Sequence, residues 1–215
     1  MTQGRTDCQL YAVVEAGEAA LERLNAALSA APIASVLIAA AAGGALQVPA
    51  ARALVVAAQR HGAAALLADA PELARTLGAD GVHLSPAEDP MPAYASARAV
   101  LGRQAIVGAD AGLSRHHAME LAEAGADYIA FGAPAGLEDG DTARARRDEL
   151  IAWWAEIFEA PCVAFDVGAP AEAEALAEAG ADFVAVRLPV AGPPAAARDL
   201  VADVAAAVRA PAAAG

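Results

Sequence analysis

The chain has 215 residues, 58% of them hydrophobic, and a formal net charge of −13 at pH 7. All 14 basic residues are arginines, which excludes chemistry that needs a lysine Schiff base. The acidity argues against nucleic acid or an anionic membrane as partner.

In chain order, short apolar runs and helical patterns alternate. The runs read as strands at 9–14, 35–39, 64–68, 81–84, 105–108, 128–131, 162–165 and 183–186. Helices are expected at 18–30, 50–61, 71–77, 92–101, 115–124, 143–158, 171–179 and 195–209. Pro71 and Pro170 fall at or near the first turns of their helices, where proline is tolerated. The start, MTQGRTDCQL, lacks an apolar signal core. No charge lies between Arg23 and Arg52, but Pro32, Gly43, Gly44 and Pro49 interrupt that segment, whose apolar content is mostly alanine. It is expected to be strand, loop and helix rather than a membrane span of about 20 consistently apolar residues. Cys8 and Cys162 lie inside hydrophobic runs, which fits a reduced, cytoplasmic protein and not a disulfide framework.

One phrase recurs. LAEAGADYIAFG at 121–132 returns as LAEAGADFVAVR at 176–187, with a shorter echo, LGADGVHLSP, at 77–86. The alanine-rich stretch favours helix, and the glycine supplies the left-handed residue that ends it. The apolar run that follows has no polar alternation, as in a parallel strand covered on both faces. Eight such units in one chain predict a single domain at 1–215, with its core at about 9–209, folded as a TIM (β/α)8 barrel. A doubly wound open sheet is the alternative, but the first strand runs into VVEAGEAA without a G-x-G-x-x-G turn.

In a barrel the chemistry lies beyond the C-terminal ends of the strands. That mouth would collect Glu15, Asp69, Ser85, Glu88, Asp89, Asp110, the loops GAPAGLEDGDTARARR (132–147) and FDVGAP (165–170), and Arg187. Asp69, Asp110 and Asp166 are expected to converge there. Two carboxylates about 4 Å apart repel by roughly 4 kcal/mol at an effective dielectric near 20, which a divalent cation, protonation or splaying into solvent relieves. Oxygen ligands without clustered Cys and His favour Mg²⁺ over zinc. A carboxylate just before a helix also has a plain role beside the positive helix terminus.

GADGVHLSPAED at 78–89, IVGADAGLSRHHAMELAEAGADYIAFGAP at 106–134 and APCVAFDVGAPAEAEALAEAGADFVAVRLPV at 160–190 resemble, in order, three segments of thiamine-phosphate synthases. The resemblance runs in register from about Gln9 to Arg209. It implies a TIM barrel that joins a pyrimidine methyl diphosphate to a thiazole phosphate, releasing pyrophosphate with Mg²⁺. Carried over residue by residue, the metal would fall to Asp69 and to Glu88 or Asp89. Asp110 stands where the family's G-x-S segment has serine. FDVG replaces I-G-G-I, placing Asp166 where a glycine amide would face phosphate and leaving Gly168 as the nearby glycine. The family's second-strand basic motif has no counterpart in VLIAAAAGG. Its N-D-R appears as ADA at 68–70, and its sixth-loop lysine is absent, with Thr142 and Arg144 as a loose substitute.

Expected substrate contacts are thus Asp110, Asp166, Gly168, Arg144 and Arg187; no catalytic group stands out. Arg187 is either an anion contact or an ion-pair partner of Asp166. Arg144, Arg146 and Arg147 either reach a diphosphate or form a solvated face. His83 reads as a satisfied core histidine before a catalytic base, His116 and His117 as solvated or capping residues, and Trp153 and Trp154 as outer packing. A small phosphorylated heterocycle is the expected ligand. The alternatives are a non-catalytic paralogue that binds a ligand or partner protein, and another phosphate-handling barrel such as an isomerase or epimerase.

Overall fold

The computed structural model describes residues 8–133 and 139–209. Eight strands alternate with eight helices. They are β1 (Gln9–Ala16), α1 (Ala20–Leu28), β2 (Ser35–Ala40), α2 (Val48–Arg60), β3 (Ala64–Ala68), α3 (Pro71–Leu77), β4 (Gly81–Leu84) and α4 (Met91–Leu101). The second half runs β5 (Ile106–Asp110), α5 (Arg115–Glu123), β6 (Ile129–Phe131), α6 (Gly140–Ile157), β7 (Cys162–Ala164), α7 (Pro170–Glu178), β8 (Phe183–Arg187) and α8 (Pro194–Arg209). All neighbours pair in parallel and β8 pairs with β1, so the barrel is closed, as the repeat predicts. Element ends differ from expectation by a few residues. The clearest are β1, β5 and β8, which extend by one or two residues into the mouth and carry Asp110 and Arg187 as strand residues. No described helix is long and apolar enough to cross a membrane.

Two cores result from the strands' period of two. One face packs Val36, Ile38, Leu67, Val82, Ile129 and Val184 against the helices. The other face fills the barrel with Tyr11, Val13, Leu37, Leu66, Tyr128, Val163 and Phe165. The Tyr128 ring fits because β5 presents Gly108 opposite it: a Cβ there would lie 2.0 Å from the ring.

The recurrent G-A-D phrase has a structural purpose at the opposite end of the barrel. Gly78, Gly125 and Gly180 take positive φ (67°, 89° and 105°) after α3, α5 and α7. The aspartate two residues later then bonds twice to one residue of the preceding strand. Asp80 donates its amide to Ala65 O (2.8 Å) and accepts Ala65 N–H on Oδ2 (2.7 Å). Asp127 does the same with Val107 (3.1 and 2.7 Å), and Asp182 with Cys162 (3.1 and 2.8 Å). Each carboxylate satisfies an amide at the start of a strand, where the ladder has not begun. Before β2 the corresponding residue is Ala34, which keeps the backbone bond to Leu10 O (2.9 Å) but has no carboxylate. Asp182→Ala should therefore destabilise the barrel by about 1–2 kcal/mol, while Asp182→Asn, which keeps an acceptor oxygen, should lose less. Paired urea melts measure both; equal losses would show that the second bond contributes nothing.

Candidate functional site

The C-terminal ends of β1, β3, β4, β5 and β7 bring the acidic side chains to one mouth. Asp69 follows β3 with φ 50°, a left-handed backbone that asparagine and aspartate tolerate better than most residues. Its carboxylate accepts the Ser85 amide on Oδ1 (2.8 Å) and the Ser85 hydroxyl on Oδ2 (2.6 Å). Glu88 and Asp89 are exposed in the next loop, and Asp89 Oδ1 accepts the Met91 amide (3.1 Å) at the start of α4. Among the described residues no group of three or more His, Cys, Asp or Glu side chains is arranged to hold a metal ion.

Asp110 and Asp166 do come together. Asp110, 6% exposed at the end of β5, accepts the Gly112 amide on Oδ1 at 2.7 Å. Asp166, exposed beyond β7, holds φ 57°. The Oδ2 atoms of both lie 3.0 Å from the point where a Gly132 Cβ would stand, so they are no more than about 6 Å apart. A side chain at position 132 would crowd both carboxylates. Burial pushes the Asp110 carboxyl up to about 7; the Asp166 charge adds to this, against hydrogen bonds from the Gly112 and Gly132 amides. Near neutral pH Asp110 is therefore poised to hold a proton.

The loop after β7 is fixed from beneath by Arg147, which is fully buried rather than part of a solvated face. Its guanidinium donates to the carbonyls of Phe165 (2.9 Å) and Asp166 (3.2 Å) and pairs with Glu172 (2.6 Å) and Asp148 (2.8 Å). Glu172 in turn accepts the Gly168 amide (2.7 Å), so the amide expected to face a phosphate is committed to its own helix. Arg144 pairs with Asp141 and Arg146 with Glu149, both in exposed positions one helical turn apart. The sixth loop lies partly outside the described residues, at 134–138.

Arg187 does not pair with Asp166, contrary to the expected alternative. Barrel closure sets it beside β1, where it donates to Glu15 Oε1 at 3.0 Å with its side chain half exposed. That geometry leaves the guanidinium open to solvent on its other edge.

His83, on β4, is buried as expected, stacked on Phe165 (4.7 Å between centroids) and Tyr128 (5.9 Å). Nδ1 lies 2.9 Å from the Tyr128 hydroxyl, which lies 3.0 Å from that of Tyr11. Burial lowers the imidazole to about 4, against the pull of Asp69. The sequence had singled out neither tyrosine; their inward parity with His83 was the available signal. Trp154 is buried behind β6, with Nε1 donating to Ala160 O (2.8 Å), and the Ser114 hydroxyl caps α5 by accepting the His117 amide (3.2 Å).

Residues 10–190 match the model of the family described as thiamine monophosphate synthase. The chain belongs to that family. It is 46% identical over 128 residues to the thiamine-phosphate synthase of Erythrobacter litoralis (strain HTCC2594), covering 59% of each chain. It is 49% identical over 131 residues to that of Hyphomonas neptunium (strain ATCC 15444), covering 60% of this chain and 57% of the relative. The alignments thus span about three-fifths of these relatives' length. The fold matches the thiamine phosphate pyrophosphorylase of Pyrococcus furiosus with a TM-score of 0.74 at 21% identity, covering 96% of this chain and 98% of that one. Tryptophan synthase from Mycobacterium tuberculosis matches with a TM-score of 0.72 at 15% identity, covering 96% and 94%. At such identity these structures share the barrel alone. Asp110 and Asp166 approach each other beside Gly132.

The mouth makes opposed pH responses. Asp110 holds its proton to higher pH in the folded state than when unfolded, so its contribution to stability declines as pH rises from about 4 to about 7. His83 takes up its proton more readily when unfolded, so its contribution is lost as pH falls from about 6.5 to about 4. Asp110→Asn should remove the first slope, exposing the second and raising stability at pH 8 relative to the parent. Denaturant melts from pH 4 to 8 check this; an unchanged pH profile would contradict the burial assigned to Asp110.

Proposed function

We propose that the protein acts in thiamine biosynthesis as a thiamine-phosphate synthase-like enzyme of the cytoplasm. It would join a pyrimidine methyl diphosphate to a thiazole phosphate at the barrel mouth: a C–N bond forms and the C–O bond to the departing pyrophosphate breaks. The observation that supports this reading most is the family match across residues 10–190, which runs through all eight strands.

Mg²⁺ commonly uses one or two protein carboxylates and completes its shell with phosphate oxygens and water. Asp69 with Glu88 or Asp89 fits that share, because Asp69 retains lone pairs beyond its two bonds to Ser85 and the other two are exposed. The ion would neutralise the diphosphate as it leaves. Arg187, held upright by Glu15, would contact an anionic end of the substrate, and Arg144 is the cation at the sixth loop. Asp110, which keeps its proton up to about pH 7, would then donate a hydrogen bond rather than repel an acceptor, with Asp166 and Gly168 bordering the same space.

A specific observation favours a second reading, a non-catalytic binding protein on the same barrel. Two carboxyl groups meet beside Gly132, and the Gly168 amide is already bonded to Glu172. Both reduce the capacity of the seventh loop to hold phosphate.

Purified protein with both synthase substrates and Mg²⁺, followed for pyrophosphate release, separates the two. Turnover above a no-enzyme control is the expected result; silence with retained binding of the thiazole phosphate would establish the second reading instead. Arg187→Ala should weaken binding of the thiazole phosphate roughly tenfold to over a hundredfold, the worth of one charge-assisted hydrogen bond. Unchanged affinity with a lowered Tm would assign Arg187 to the Glu15 ion pair alone.

A further inference from the structure

The barrel interior contains a polar chain that the functional reading leaves unused: Tyr11 hydroxyl, Tyr128 hydroxyl, His83 Nδ1. Tyr11 is 1%, Tyr128 6% and His83 3% exposed. Donors and acceptors in such a place must match, because a buried unpaired hydroxyl costs free energy that nothing returns.

Each hydroxyl has one proton, and only one direction uses both. If Tyr11 donates to Tyr128, and Tyr128 donates to Nδ1, every proton has an acceptor. In the reverse direction Nδ1–H donates to Tyr128 and Tyr128 to Tyr11, and the Tyr11 proton is left without a protein acceptor among the described residues. A water below Tyr11 would need two or more polar partners. The cavity there, about 190 Å³ at the N-terminal end of the barrel, is lined by Ile106, Pro161, Val163 and Phe183 but also by Ser35 and Asp127, so the reverse direction depends on a water held in that cavity. The forward direction needs no water, pairs both hydroxyl protons within the protein, and leaves the imidazole proton on Nε2.

Nε2 is the free end of the chain. It has no hydrogen bond among the described residues, and it is not one of the fully enclosed unpaired atoms, of which Arg23 Nε is the one found there, although His83 as a whole is only 3% exposed. His83 does not line the cavity at the bottom, and the Asp69 backbone follows the same course beside it, with Asp69 N donating to His83 O at 3.0 Å. The Asp69 carboxylate at the mouth also acts on the imidazole, which sets the ring within reach of that side.

We propose that Tyr128, backed by Tyr11, is a positioning residue that fixes His83 as the Nε2–H tautomer and presents a neutral hydrogen-bond donor to an acceptor atom of the ligand in the mouth. The ligand part rests on the function proposed above; the tautomer does not. The class of atom selected is an uncharged acceptor, a ring nitrogen or a carbonyl, because a neutral N–H offers direction with little net charge.

Nitrogen-15 NMR of the full chain labelled at histidine tests it. At pH 7 His83 should show a protonated Nε2 and an unprotonated Nδ1. Tyr11→Phe should leave this pattern intact, since Tyr128 still donates to Nδ1. The near-isosteric Tyr128→Phe should abolish it by removing the Nδ1 partner. A wild-type spectrum with the proton on Nδ1 would overturn the proposal, whatever the variants do. With the two synthase substrates, His83→Gln, which keeps an N–H near the Nε2 position, should hold KM within about threefold, and His83→Ala should raise it roughly three- to tenfold, the worth of one neutral hydrogen bond. An equal rise in both would remove the donor role. A silent synthase assay beside a protonated Nε2 would refute the functional reading and leave the tautomer established.

Discussion

The barrel depends on how its strands begin. Ala65, Val107 and Cys162 each face an aspartate that is bonded to them through both backbone and side chain. A two-point bond between single residues tolerates no slip, and a one-residue slip in a strand would exchange its two faces. Every inward residue higher up, from Tyr128 to Asp110, inherits its direction from these clasps. Their spacing joins β3 to β4, β5 to β6 and β7 to β8, so the chain is built of strand pairs, with the first pair lacking its carboxylate at Ala34.

At the other end the same scaffold holds charge instead of relieving it. The Phe165 and Asp166 carbonyls are gripped by a buried guanidinium, and Glu172 balances that charge while capping the next helix. A buried ion pair of this kind gives little net stability, but removing one partner would strand the other. Its value here is geometric: it fixes the turn that carries Asp166 toward Asp110. The interior between the two ends is filled by rings, with Gly108 yielding its side-chain space to Tyr128.

Much of this was legible in the chain. The repeated helix-glycine-strand phrase located all eight units because its physics is local: a helix former, a left-handed stop, an apolar run. The mouth was legible too, since position at a strand end follows from the same phrase. What could not be read was pairing across the closure. Arg187 was set against Asp166, its neighbour on the preceding strand, whereas the ring brings it to Glu15 at the far end of the sequence. Arg147 sits among arginines that resemble a solvated helix face, and nothing local distinguishes the one that turns inward. Tyr11 and Tyr128 are separated by 117 residues, and their hydroxyl contact exists only once the barrel has closed.

Asp69 and Asp166 share a backbone conformation that few residues accept, with φ of 50° and 57°. Glycine, asparagine and aspartate occupy it at modest expense; bulkier or β-branched residues do not. Variation at these two places is thereby channelled. Lineages of this barrel can alter the sign and hydrogen-bonding character of the mouth by moving among three residues, while the path of the chain stays as it is. Ligand preference can therefore drift here through single substitutions that leave the scaffold nearly untouched.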